Sequence, residues 1–202
     1  MKKVIASSII CLFLLNCTKK EHRITEQNLP YIISQENEKF LQELKMKKIP
    51  PPPPGFYGYN QIIIDKNNNF YFYQKETIGW HCVTAETDTI PDFTDLEPND
   101  IIIIPNNNVI DFIKQNVSSK DERHRMLVIG SQNDTIRNND FKKIMTFIND
   151  SLKSKIRIFT IRKSTQEEDT VISYRVNNKY YNSNSIKWNE DRILFPFIKP
   201  KR

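Results

Sequence analysis

Four glycines are all that 202 residues contain, at positions 55, 58, 79 and 130. A dinucleotide fingerprint, a phosphate loop and a nucleophile elbow each need glycines at fixed spacing, and none can be assembled from these four. Cysteine is almost as scarce: Cys11, Cys17 and Cys82 cannot make a disulfide framework. The only histidines are His22, His81 and His124, and no H-E-x-x-H or C-x-x-C spacing offers a zinc ligand set. His81 and Cys82 are adjacent, so on a strand their side chains would face opposite ways, against a Cys–His nucleophile pair built from these two. What remains is 38% apolar and 11% aromatic, enough for one core. The eleven prolines include the run Pro50–Pro54.

The N-terminus carries the strongest pattern. Lys2 and Lys3 are followed by twelve residues, Val4 to Leu15, that carry no charge and are apolar apart from Ser7 and Ser8. That is shorter than the roughly 20 residues a spanning helix needs, and it suits the apolar region of a secretory signal. The stretch closes in Leu14-Leu15-Asn16-Cys17. This resembles the lipobox of bacterial lipoproteins, with Asn16 in place of the usual small residue, as in lipoproteins of the Bacteroidota type. The resemblance implies a signal peptide over 1–16, diacylglycerol and an N-acyl chain such as palmitate on Cys17, and residence in the cell envelope facing the periplasm. Thr18 rather than Asp after Cys17 permits outer-membrane sorting under the proteobacterial rule, and the outer membrane is expected over the inner. No other cofactor is expected. Cleavage would remove Cys11, leave Cys82 as the lone free thiol, and lower the net charge from +6 to +4 with the loss of Lys2 and Lys3.

After the anchor, residues 18–33 read as a tether. Ser34 to Lys48 reads as a helix capped by Ser34, with Ile33, Phe40, Leu41 and Leu44 on one stripe. Pro50–Pro54 reads as an extended spacer. The tether thus occupies 17–55 and a single α+β domain 56–202. Within the domain, Tyr59–Ile64 and Phe70–Gln74 form a hairpin across a turn-rich loop, Asp65 to Asn69. Ile101–Ile104 is a short strand. Val109, Ile110, Ile113 and Val117 give helical spacing, with Asn106 or Asn107 as cap. Met126–Ile129, a helix from about Asn139 to Lys153 and Ile156–Arg162 make a βαβ unit. Thr170–Val176 and Lys179–Tyr181 read as a closing hairpin. From the hairpin Ile62-Ile63-Ile64-Asp65 into Phe70-Tyr71-Phe72-Tyr73 through to Ile156-Arg157-Ile158-Phe159-Thr160, this order is similar to the periplasmic domain of the ExbD/TolR family. That family also carries a membrane helix with an aspartate in its proton path, whereas Val4–Leu15 holds no acid. The resemblance therefore implies a related fold and transfers no mechanism.

Two clusters could carry chemistry. Glu86, Asp88, Asp92, Asp95, Glu97 and Asp100 fall within fifteen residues that hold no Lys or Arg. Such carboxylates could bind calcium or divide acid and base roles, although the EF-hand spacing is missing. Phe56, Tyr57, Tyr59 and Trp80 could form a stacking platform. Charge is polarised along the chain. Residues 51–120 hold 4 basic and 9 acidic side chains, and residues 121–202 hold 17 and 10. In an exported protein the basic half would meet anionic headgroups or an acidic protein rather than nucleic acid. The expectation is a membrane-anchored, non-enzymatic protein that binds an envelope partner or ligand. The alternative is an envelope hydrolase using acids of the 86–100 loop or Cys82.

Overall fold

The computed structural model describes residues 29–50, 59–75, 93–150 and 155–189. The signal region, Cys17, Pro51–Pro54, Phe56, Tyr57, Trp80, His81, Cys82, Glu86, Asp88 and Asp92 lie outside them.

The fold grows from a hairpin. Strands β2 (Asn60–Ile64) and β3 (Phe70–Gln74) pair antiparallel with Ile62 opposite Phe72. Their turn is organised by one carboxylate. Asp65 accepts the backbone N–H groups of Asn67 and Asn69 at 2.8 Å each and the Tyr71 hydroxyl at 2.9 Å. Asn68 takes the left-handed φ of 63°, a conformation asparagine tolerates. Five consecutive residues of β2 are buried, as a central strand covered on both faces requires. On its other side β2 runs parallel to β5 (Met126–Ser131), and β5 parallel to β7 (Arg157–Lys163). β4 (Ile102–Ile104) pairs antiparallel with β3 and gives the sheet order β4-β3-β2-β5-β7.

Side chains alternate across this sheet, so its two faces collect different cores. On one, Ile62, Ile64, Phe70, Phe72, Leu127 and Ile129 pack with Val109, Ile113 and Val117, and with Phe141, Ile144 and Ile148. The first three helical residues come from α2 (Val109–Ile113) and the wider helical turn Lys114–Ser118 that continues it. The second three come from α3 (Asn139–Asn149), whose first turn is capped by Asn138 accepting from the N–H of Asp140 at 2.7 Å. On the other face Ile63, Tyr71 and Tyr73 meet Leu96, Ile101, Val171 and Ile172. Each such side chain contributes on the order of 1.5–3 kcal/mol when fully buried.

The α+β class, the hairpin and the strand-helix-strand succession follow the sequence reading closely. Three details are corrected. The expected closing hairpin is a helix, α4 (Gln166–Val176). Thr165 opens it with a reciprocal capping box to Glu168, and Glu167, Glu168 and Asp169 fill the first turn with negative charge, where the helix dipole favours it. Its inward residues are Glu167, Glu168, Val171 and Ile172. Two of these four are carboxylates, so no apolar helical period was visible. Second, α2 is entered through a tight turn at Asn106–Asn108 and has no side-chain cap; the Asn106 amide donates instead to the Asn68 carbonyl at 3.2 Å.

Third, the tether reading of 18–33 does not hold for its last three residues. Tyr31–Ile32 is a short strand, β1, paired antiparallel with β6 (Thr135–Ile136), and Ile33 is buried in the larger core. Helix α1 (Ile33–Met46) follows directly. Ser34 does not cap it; its N–H and hydroxyl both donate to Asp134, at 3.1 and 2.7 Å.

Candidate functional site

A concavity of about 1050 Å³ runs along α3. Its floor and walls are apolar: Leu29, Tyr31, Ile110, Phe141, Met145 and Phe147. The clip between β1 and β6 creates one wall, because it lays Tyr31 edge-on against Phe141 with ring centroids 5.5 Å apart. Burial, with the Glu36 carboxylate adding to it, raises the Tyr31 phenol above its ordinary pKa, so it stays a neutral donor. The rim is charged. Lys143 is paired with Asp140 at 2.7 Å, whereas Lys142, on the same lip, has no ion pair among the described residues. Asn139, Thr146, Asn149 and Asp150 also line the concavity, so apolar and polar side chains share the surface, a mixture that suits an extended chain.

The second concavity, about 260 Å³, lies where β5 and β7 begin. Arg125, Lys155 and Arg157 line it with Glu122, which pairs with Arg157 at 3.1 Å. This is one place where the basic surplus of residues 121–202 is concentrated.

Beneath α4 lies a buried polar interlock that the sequence reading missed. The Arg162 guanidinium makes two parallel bonds to Glu168, at 2.7 and 2.8 Å, and donates to the Gln61 side-chain oxygen at 3.0 Å. Tyr73 donates to the same carboxylate at 2.6 Å, and the Thr165 N–H at 2.7 Å. Burial works against both charges, but each supports the other. Glu168 therefore sits below its ordinary pKa and Arg162 above. Tyr73 is pushed well up by burial and by the neighbouring Glu168. The guanidinium reaches across β5 because position 130 is glycine. A Cβ there would lie 2.6 Å from Ile63 Cδ1 and 3.3 Å from Arg162 Nη1. Glu167, next in the same helix, accepts from the backbone N–H of Thr94 at 2.9 Å, its hydroxyl at 3.1 Å, and the N–H of Leu96 at 2.6 Å. Burial raises its pKa to about 6, and these three donors only partly offset the rise. The one signal in the sequence was Thr165-x-x-Glu168, the spacing of a capping box.

Three of the six residues of the acidic cluster fall among the described residues, and they do not converge. Glu97 and Asp100 close a capping box around the turn Pro98–Asp100. Asp100 pairs with Lys75 at 3.2 Å, and Lys75 also donates to the Asp95 carbonyl. Among the described residues no group of three His, Cys, Asp or Glu side chains is placed to hold a metal. His124 contacts Asp121 through Nδ1 at 2.6 Å and stacks edge-on with Tyr59. No helix among the described residues is long and apolar enough to cross a membrane.

Fold and site together define a class no narrower than an α+β domain with an apolar groove along one helix. Comparison with protein-family models, curated proteins and solved structures found no match.

Proposed function

We propose that the protein is an envelope lipoprotein, acylated at Cys17, whose domain binds a partner protein in the groove along α3. The observation that carries the binding role is the groove itself, about 1050 Å³ in volume with an apolar floor. Its lining balances Glu36 and Asp150 against Lys142 and Lys143, which favours a partner segment recognised chiefly through apolar side chains. The anchor rests on Leu14-Leu15-Asn16-Cys17 and the basic, then apolar, leader before it. Periplasmic exposure, with the outer membrane as the favoured site, follows from the same residues.

The test uses the full chain in intact cells, with a photo-crosslinking residue at Thr146 on the groove or at Asn177 on the far side of the sheet. A discrete adduct from Thr146 alone is expected. Equal yields from both positions would overturn the groove as the binding site. If the protein stays partnerless and releases product from isolated envelope, the hydrolase reading replaces this one.

A further inference from the structure

Helix α1 is clipped to the domain at its N-terminal end, touches β7, and is otherwise largely exposed. Ile33 is its single buried residue, whereas Phe40 and Leu41 are 47% and 52% exposed. At about 100° per residue, Ile33, Phe40 and Leu44 fall within roughly 40° of one another, with Leu41 at the margin. Met46 and Ile49 beyond them are 76% and 49% exposed. With Leu29, the segment 29–49 supplies five of the nine large exposed apolar side chains among the described residues. Its cations are disposed unevenly. Lys39 pairs with Glu36 and Lys47 with Glu43, both on the helix surface, while among the described residues Lys45 and Lys48 have no ion pair. The free cations therefore flank Met46 and adjoin Ile49.

We infer that α1 lies on an anionic phospholipid surface, its apolar stripe in the headgroup boundary and Lys45 and Lys48 on lipid phosphates. This choice of occupant rests on the lipid-anchor reading. Leu29 follows Cys17 by twelve residues, a reach of at most about 40 Å, so an acylated Cys17 would hold α1 beside the bilayer throughout. Exposed apolar residues with lysines gathered at the C-terminal end, beyond Glu36, Glu38 and Glu43, are features of an interfacial helix that docks by that end, with lysine stems extending their charges toward the headgroups. The acyl chains on Cys17 would already hold the chain stably at the membrane; α1 would add a second point of contact and fix the orientation of the domain.

The test is made without the lipid. All described elements lie between residues 29 and 189, so the chain from Thr18 onward retains them. That chain should co-sediment with vesicles of phosphatidylethanolamine and phosphatidylglycerol. Phe40→Glu with Leu41→Glu should weaken the association about tenfold or more, and Lys45→Glu with Lys48→Glu should remove its dependence on phosphatidylglycerol. Circular dichroism of both variants checks that the domain is intact. No sedimentation, or sedimentation unchanged in the Phe40/Leu41 variant, overturns the inference. So does a concentration-dependent dimer that the same pair abolishes, because the stripe would then face a second copy. Palmitate labelling of Cys17 in cells reports on the anchor separately, so either idea can fail without the other.

Discussion

Position 130 shows how a single missing side chain admits a charged group to a protein interior. The guanidinium of Arg162 occupies space that a Cβ at residue 130 would contest, and Ile63 closes the other side. Gly130→Ala should therefore cost about 1–3 kcal/mol through overpacking, read from the denaturation midpoint. The ion pair itself obeys an asymmetric rule. Arg162→Met should destabilise by roughly 3–5 kcal/mol, because Glu168 would be left buried without its counter-charge. Adding Glu168→Leu should restore much of that loss, since the orphaned carboxylate goes as well. A double variant no more stable than Arg162→Met would contradict this account. Glu167 titrates in the opposite sense to Glu168. Its folded pKa of about 6 stands above the ordinary 4.5, so its contribution to stability is fully present below about pH 4.5 and lost as pH rises through 6. The stability difference between the native chain and Glu167→Gln should thus shift by about 2 kcal/mol between pH 4.5 and 7, to the disadvantage of the native chain at the higher pH. A flat difference would show that the three donors from Thr94 and Leu96 hold the carboxylate at its ordinary value.

Elements differ in how much of their stability is their own. Helix α3 has a side-chain cap from Asn138 and a three-residue apolar face against the sheet, and its sequence announces the apolar period. Helix α1 depends on contacts a hundred residues away: Ser34 on Asp134, and β1 on β6. Asp134→Ala should therefore free the N-terminal end of α1 while leaving the sheet intact. Amide hydrogen exchange across residues 31–36 should quicken by an order of magnitude or more, with β2 and β5 unchanged. Uniform acceleration over the whole domain would show instead that the clip is part of the global fold. Helix α4 is the case in which reading by period misled. Thr170, Val171 and Ile172 are β-branched and suggest a strand. The capping box, the acidic first turn and the interlock with Arg162 all favour a helix, and together they prevail.

At the scale of the whole molecule, two covered faces make the sheet the reference frame for everything else. The groove lies on the α2/α3 face and the charged interlock on the α4 face, so the groove and the buried ion pair are insulated by a layer of packed strands. Cys17→Ala should abolish incorporation of labelled palmitate in growing cells; retained label would remove the basis for an envelope address. The sequence by itself determined the five strands of the main sheet, the α+β class and α3, because local periodicity and composition act over a few residues. Only the tertiary structure decided the sheet order, the clip between residues 31–33 and 134–136, the groove and the Arg162–Glu168 interlock. Each of these joins segments whose separation along the chain says nothing about their proximity. In the interlock, the residues that bury themselves are charged, and their burial is stable only because Gln61, Tyr73 and Gly130 on neighbouring strands complete it.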